Sequence, residues 1–160
     1  MASSVDTPEL SPTALATRVF ALMAVGSLGD FQQVVHPDGV NREAVIQPLA
    51  ARGSGPQAWY ETALWLRNMA DDLHWQIHES VVTGDLVAVF CTMSGHHTGE
   101  HTHYDADGAP ARVMQPTGKP FATTQSHWFR IADGKVMEHW ANRDDLGIAI
   151  QLGWFVPPTS

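Results

Sequence analysis

The sequence predicts an α+β fold, in which helices come first and a curved antiparallel sheet follows. Apolar residues recur at helical spacing in the first half, over Thr13–Val25 and again after Pro56. From Leu73 onward the period changes to that of strands, and short turns such as Asp133-Gly134 separate the strands. This order of elements, helices first and hairpin-connected strands after them, is typical of folds in which helices cover one face of an antiparallel sheet.

The first half is predicted to hold three helices. Ser11-Pro12 has the pattern of an N-cap followed by proline in the first turn. The second helix should end at the Pro and Gly of His36–Gly39, since both residues break a helix. The chain from 40 to 51 is expected to be irregular. The predicted helices span Thr13–Val25, Leu28–Val35 and Gln57–Asp72.

The second half is predicted to hold four long strands and a short last helix that Asp144-Asp145 opens. Leu86–Ser94 is almost continuously apolar, so both of its faces are expected to be covered. Residues 95–120 are expected to form turns, loops or an irregular edge strand. The predicted strands are His74–Val82, Leu86–Ser94, Thr123–Ala132 and Val136–Arg143.

Length and composition limit the kinds of protein this chain can be. Its 160 residues predict one domain, over residues 11–156, between a loose N-terminus (1–10) and a tail (157–160). The formal net charge of -8 disfavours nucleic acid and anionic membranes as partners. No apolar run reaches membrane-spanning length, and no signal peptide is recognisable, so the cytoplasm is the expected location. The single cysteine, Cys91, excludes an internal disulfide and is predicted to be buried.

One stretch, Thr123–Gly153, concentrates the candidate functional groups. It combines two aromatic residues with histidine, amide, guanidinium and carboxylate side chains, which is typical of a pocket wall. The residues are His127, Trp128, His139, Trp140, Asn142, Arg143, Asp144 and Asp145.

The relative orientation of the two histidines depends on the turn between their strands. A three-residue loop centred on Asp133 would set His127 opposite His139. A two-residue Asp133-Gly134 loop would set His127 opposite Trp140 and point the two histidines to different faces. Simple strand alternation also puts His139 and Asp144 on opposite faces.

A second cluster, His96, His97, His101 and His103, raises the alternative of a metal-dependent enzyme. An extended chain would separate His97 from His103 by roughly 20 Å, too far for one ion unless the segment folds back at Gly99. The metal site is therefore the less favoured alternative.

Several short motifs follow one another along the chain: His36-Pro37-Asp38, Gly55-Pro56, Pro116-Thr117-Gly118-Lys119, Asp133–Trp140, Asp144, Leu146-Gly147 and Gln151-Leu152-Gly153. In this order they resemble the SnoaL-like polyketide cyclase or ester cyclase family. The resemblance covers about Thr13–Trp154 and implies a cone of the nuclear transport factor 2-like type. Such a cone has a strongly curved sheet wrapped on helices around a deep apolar cavity. It also implies a homodimer formed through the sheet, and no cofactor or metal.

The resemblance implies acid/base chemistry on an apolar small molecule that carries a carbonyl group: an aldol-type cyclisation, an isomerisation or a hydrolysis. Asp144 matches the family's aspartate, whose pKa an apolar pocket would raise. Asp145 is the alternative, and an alignment on position 141 would leave Ala141 and no acid.

The remaining candidates fall into two groups. His127 and His139 are expected to assist Asp144 in catalysis, and Asn142 and Arg143 to hold polar ends of the substrate. Substrate contacts are expected from Asn41, Trp59, Trp128 and Trp140. The competing hypothesis is a small-molecule binding protein with the same cavity and no turnover.

Overall fold

The structure is a computed structural model and describes residues 10–158. Within these residues lie four α-helices, two 3₁₀ turns and seven strands. The predicted loose N-terminus and tail fall mostly on residues 1–9 and 159–160, outside the described residues. The elements are α1 (Pro12–Val25), α2 (Leu28–Val34), β1 (Val35–Asn41), α3 (Gly55–Met69), β2 (His74–Thr83), β3 (Leu86–His96), β4 (His101–Tyr104), β5 (Pro110–Met114), β6 (Pro120–Ala132), β7 (Lys135–Arg143) and α4 (Asp145–Leu152).

Five strands form one sheet in the order β1-β7-β6-β3-β2. The four strands β2, β3, β6 and β7 pair antiparallel, as predicted, whereas β1 pairs parallel with β7. The expectation that His36–Gly39 only ends a helix is therefore wrong, because these residues lie in β1. The Pro and Gly still act as breakers there: the pairing register shifts between Val35 and Val40.

The helices begin where their caps predict. The Ser11 hydroxyl accepts a hydrogen bond from the Ala14 amide at 3.2 Å, and Ser27 forms a capping box with Asp30. α3 begins at Gly55, which has a φ of 79° and lies against β1. A Cβ at this position would meet the Pro37 carbonyl oxygen at 2.5 Å, so the contact between α3 and β1 requires glycine.

Within the single chain, strand β3 buries one face only, so the chain by itself does not cover both faces as expected. Val87, Val89 and Cys91 are at most 1% exposed, whereas Phe90 between them is 42% exposed. The continuous apolar run therefore leaves an apolar outer face on the sheet. Burial raises the pKa of the Cys91 thiol to about 11, which fits a buried packing residue.

Part of the segment expected to be irregular forms the hairpin β4–β5. His101 pairs with Met114 and His103 with Arg112. The hairpin is fixed to α3, because the Trp65 indole donates a hydrogen bond to the Thr102 carbonyl oxygen at 2.7 Å. It is fixed to the segment after α4 by the Arg112 guanidinium, which donates to the Trp154 carbonyl oxygen at 2.9 Å.

The β6–β7 hairpin contains a bulge that neither sequence alternative included. Its loop has two residues, Asp133 and Gly134, both with positive φ. The register then shifts: Ile131 pairs with Val136, but Arg130 pairs with Glu138, so Met137 has no opposite residue. Beyond the bulge His127 pairs with Ala141, and both histidines face the same side of the sheet.

Helices α1, α2 and α3 cover the inner face of the sheet. The core between them contains Leu15, Phe31, Trp59, Val87 and Phe129, each at most 2% exposed. None of the helices within residues 10–158 has the length and hydropathy required to cross a membrane.

Candidate active site

The inner face of the sheet, α1 and α3 enclose a cavity of about 380 Å³, a volume in the range of small-molecule sites. Apolar side chains from the two helices, including Phe20 and Trp59, form one wall. Strands β6 and β7 supply the polar groups of the opposite wall, His127, His139 and Arg143. The β4–β5 hairpin and α4 lie at its other end.

Four polar side chains form a chain of hydrogen-bonding contacts along the cavity wall. Asn41 Oδ1 lies 2.9 Å from His139 Nδ1, and His139 Nε2 lies 2.9 Å from His127 Nδ1. His127 Nε2 in turn lies 2.8 Å from Gln125 Oε1. The bulge in β7 makes this chain possible, because it turns His139 to the side on which His127 lies.

Both imidazoles are buried, and this affects their protonation. Burial lowers the pKa of His127 to about 3, and the positive charge of Arg143 acts in the same direction. Burial is the largest cause that lowers the pKa of His139 well below its usual value, and the charges of His127 and Arg143 act in the same direction. Both rings are therefore neutral near pH 7 and have lone pairs that can accept a proton.

Arg143 brings a positive charge to the same wall. Its guanidinium lies 3.3 Å from the Glu43 carboxylate and 3.1 Å from that of Asp145. The Glu43 carboxylate also accepts a hydrogen bond from the Ala141 amide at 2.9 Å, which ties the segment after β1 to β7. A guanidinium held in this way can stabilise negative charge on a bound molecule.

Trp59 provides a flat apolar surface beside His139. It is fully buried, and its indole N–H donates to the Gly39 carbonyl oxygen at 3.2 Å. Its ring centre lies 5.8 Å from that of His139. On the other side of the pair, Phe20 packs edge-on against His127 at 4.9 Å.

Five of the residues predicted from sequence line the cavity: Asn41, Trp59, His127, His139 and Arg143. Three others, Trp128, Trp140 and Asn142, lie on the outer face of the sheet and do not line it. Trp128 and Trp140 stack on each other with ring centres 6.4 Å apart, and the Arg42 guanidinium lies over Trp140. The expectation that Trp128, Trp140 and Asn142 contact the substrate is therefore wrong. Beyond the bulge His139 points inward, and because side chains alternate along a strand, its neighbours point outward.

Asp144 lies at the start of α4 and outside the cavity lining. Its carboxylate accepts a hydrogen bond from the Gly147 amide at 2.8 Å, and the residue is exposed. This is the geometry of a helix N-cap. Asp145 does line the cavity, as a mostly exposed partner of Arg143.

Several functional candidates escaped the sequence prediction. Gln125 completes the polar chain, and its position two residues before His127 on an alternating strand is the signal that would have found it. Glu43, Gln47 and Thr62 are further polar groups of the lining, and Thr62 donates to Gln47 Oε1 at 2.6 Å.

The four histidines of the suspected metal cluster are spread over different environments. His96 lies 2.6 Å from the Asp72 carboxylate on the surface, and His97 contacts Thr117. His101 and His103 line the cavity beside Trp65. Among residues 10–158, no three histidine, cysteine or acidic side chains are placed to hold a metal ion.

The fold and the buried row of polar side chains in its cavity together indicate the class of protein to which this chain belongs. Residues 14–152 match the family model of the SnoaL-like polyketide cyclases, and the chain belongs to this family. It is 29% identical over 146 residues to aklanonic acid methyl ester cyclase DnrD of Streptomyces peucetius, covering 89% of this chain and 92% of that protein. It is 26% identical over 129 residues to the nogalonic acid methyl ester cyclase of Streptomyces nogalater, covering 80% and 87%.

Solved structures show the same fold. Wild-type IdmH from Streptomyces antibioticus superposes with a TM-score of 0.67 at 24% identity, over 90% of this chain and 99% of that one. A protein of ketosteroid isomerase-like fold from Catenulispora acidiphila gives a TM-score of 0.64 at 15% identity, over 89% and 97%. The predictions of the family and of the fold class are therefore confirmed, and the relatives named as cyclases support the prediction of a cyclase-type enzyme.

Proposed function

We propose that this protein catalyses an intramolecular aldol-type cyclisation of a polyketide methyl ester, with proton transfer by His127 and His139. The names of the relatives support a methyl ester of a polyketide acid as the substrate class. The apolar side chains of α1 and α3 favour a largely apolar molecule, and the wall formed by β6 and β7 presents polar groups where a carbonyl oxygen could reach them.

In the proposed reaction, a base removes a proton from a carbon next to a carbonyl group, and the electron pair moves to the carbonyl oxygen. The resulting enolate carbon attacks a second carbonyl of the same molecule, and the proton returns to the new alkoxide. The product is an isomer of the substrate, since no atom is gained or lost. The reaction needs a base, a donor for the developing oxyanion and a cavity that excludes water.

The observation that carries the proposal is the chain Asn41–His139–His127–Gln125 on the cavity wall. Both imidazoles are unprotonated near pH 7, so the pair has lone pairs that can accept a proton, and burial makes the rings weaker bases than a free histidine. Arg143, on the same face of β7 as His139, is the proposed electrostatic support of the oxyanion. We assign proton transfer to the histidines and not to Asp144, because the Asp144 carboxylate caps α4 outside the cavity.

The test uses aklanonic acid methyl ester as the first probe and liquid chromatography with mass spectrometry as the readout. The wild type is expected to form a product of unchanged mass. His139→Asn and His127→Asn should each lower kcat by about 10²- to 10⁴-fold, the range of general acid–base catalysis. Trp140→Phe on the outer face is the matched control and should retain activity. Full activity in both histidine variants would refute the assignment.

The second candidate is a small-molecule binding protein that uses the same cavity without turnover. The mainly apolar cavity by itself would serve either function. Thermal stabilisation of the wild type by the same methyl ester, without any isomeric product, would favour binding alone.

We also infer that a second copy of the chain covers the outer face of the sheet. The support is an exposed apolar surface on this face, with Phe90 42% and Val81 67% exposed beside the stacked Trp128 and Trp140. The molecular mass in solution, measured by light scattering, should be that of a dimer. Phe90→Glu should shift it towards the monomer, whereas Val25→Glu, at an exposed position at the end of α1, should not.

A further inference from the structure

The chain Asn41–His139–His127–Gln125 ends in an amide oxygen on both sides, and other groups fix both oxygens in place. Asn41 Oδ1 also accepts a hydrogen bond from the Glu43 backbone amide at 3.1 Å. Gln125 Oε1 also accepts from the Trp75 indole N–H at 3.4 Å. A backbone N–H and an indole N–H are donors only, so turning either amide over would set its NH₂ group against another donor.

These fixed oxygens determine where the imidazole hydrogens lie. His139 Nδ1 and His127 Nε2 each face an acceptor at 2.9 Å and 2.8 Å, so both outer nitrogens carry hydrogen. A neutral imidazole has only one N–H. In the neutral pair the two inner nitrogens, His139 Nε2 and His127 Nδ1, therefore oppose lone pair to lone pair at 2.9 Å.

One added proton resolves this opposition. It lies between the two inner nitrogens, and all three contacts of the chain then become hydrogen bonds. A second added proton would set N–H against N–H at the same place. The network therefore has room for one extra proton, and one only.

We propose that His127 and His139 act as a single base that takes up one proton between His127 Nδ1 and His139 Nε2, with Asn41 and Gln125 as positioning residues that set its proton affinity. This inference rests on the proposed function for its catalytic meaning, but it concerns the protein without substrate as well. In the reaction, the C–H bond next to the substrate carbonyl breaks and the pair receives that proton. The same proton returns to the alkoxide when the new C–C bond has formed.

The surroundings of the pair set limits on its charge. β7 supplies Arg143, whose positive charge opposes protonation, and the segment after β1 supplies Glu43, which partly neutralises Arg143. The helices present apolar rings, Phe20 from α1 and Trp59 from α3. Burial and Arg143 lower the pKa of both rings, whereas the opposed lone pairs favour uptake of the first proton. The pair therefore differs from two independent buried histidines in the number of protons it takes up, one instead of two, and in the position of that proton.

Nitrogen NMR of histidine-labelled protein, recorded against pH without substrate, tests the proton positions directly. At high pH we expect hydrogen on His127 Nε2 and His139 Nδ1 and none on the two inner nitrogens. On acidification both inner nitrogens should shift together, with one proton bound per pair while the protein stays folded. An ordinary tautomer chain at high pH, with hydrogen on one inner nitrogen and a bare outer nitrogen, would overturn the proposal.

Two substitutions at one position separate positioning from mere packing. Gln125→Glu places a carboxylate against His127 Nε2 and should raise the apparent pKa of the pair by about 1 to 3 units. Gln125→Leu removes the acceptor, so His127 can carry its hydrogen on Nδ1 and donate it to His139. The apparent pKa should then fall. A shift in the same direction in both variants, or no shift in either, would contradict the proposal.

The outcome can be separated from that of the proposed function. Single-proton uptake in a protein that turns over no polyketide ester would uphold the shared base and refute the cyclase assignment. Turnover of the ester by a protein in which one inner nitrogen carries hydrogen at high pH would uphold the cyclase assignment and refute the shared base.

Discussion

Acid should destabilise this protein through His101, and replacing that residue should remove a measurable part of the effect. His101 is 5% exposed and lies between two indoles, with ring centres 4.4 Å from Trp65 and 5.6 Å from Trp154. Burial is the largest cause that lowers the pKa of His101 to about 3, and the charges of His103 and His97 act in the same direction. In the unfolded chain the ring titrates near 6.5, so below that pH the unfolded state binds the additional proton.

The sign and size of the effect follow from proton linkage. A base whose pKa is lower in the folded state favours folding most above its unfolded pKa, and this contribution is lost as the pH falls towards the folded pKa. Between pH 7 and pH 5 a shift from 6.5 to about 3 corresponds to about 2 kcal/mol for one group. The loss should continue below pH 5 until the pH approaches 3.

The assay is urea unfolding at pH 7 and pH 5 of the wild type and of His101→Phe. Phenylalanine keeps a ring between the two indoles and cannot take up a proton. We expect the wild type to lose about 2 kcal/mol more than the variant between the two pH values. His74→Phe, at an exposed position on β2, is the control and should follow the wild type. An equal loss of stability in wild type and His101→Phe would refute the reasoning.

Two further predictions concern a helix cap and a glycine in the left-handed region. Asp144→Ala should cost about 1 kcal/mol of stability through loss of the cap on the Gly147 amide, whereas Asp144→Asn should keep both stability and turnover, as thermal unfolding and kcat would show. Lost turnover in a stable Asp144→Asn variant would return the proton-transfer role to Asp144. Gly55→Ala should cost about 1 to 3 kcal/mol, because φ is 79° and the Cβ would meet the Pro37 carbonyl oxygen. Gly84→Ala, where φ is also positive but no atom lies within 4 Å of the added Cβ, should cost less.

The helices and the long strands could be predicted from sequence because their signals are local. Ser11 and Ser27 cap the first two helices through contacts three residues away, which a sequence pattern records directly. β1 could not be predicted in this way, since its pairing with β7 joins residues about 100 positions apart. The same holds for the β4–β5 hairpin, whose short strands carry few of the usual strand formers.

The site was predictable as a stretch of chain but not as a set of side chains. Strand alternation assigns each residue to a face only while the register is regular, and one extra residue at Met137 reverses the assignment beyond it. The bulge brings His139 to the side of His127 and leaves Trp140 and Asn142 outside. A bulge of this kind depends on the pairing of the whole hairpin, so the hairpin turn alone did not reveal it.

Position 141 links the family resemblance to the geometry. Ala141 lies on the inner face of β7 directly opposite His127, at a separation that lets paired side chains touch. A carboxylate at this position would contact the imidazole pair, and Ala141→Asp should therefore raise the apparent pKa of His127 by about 1 to 3 units. The measurement is the His127 ring shift against pH, with Ala141→Asn as the uncharged control of similar size. If both variants shift the pKa of His127 equally, the effect is one of packing. A shift in the aspartate variant alone would show that this wall can hold its proton on a carboxylate–histidine pair as well as on two histidines.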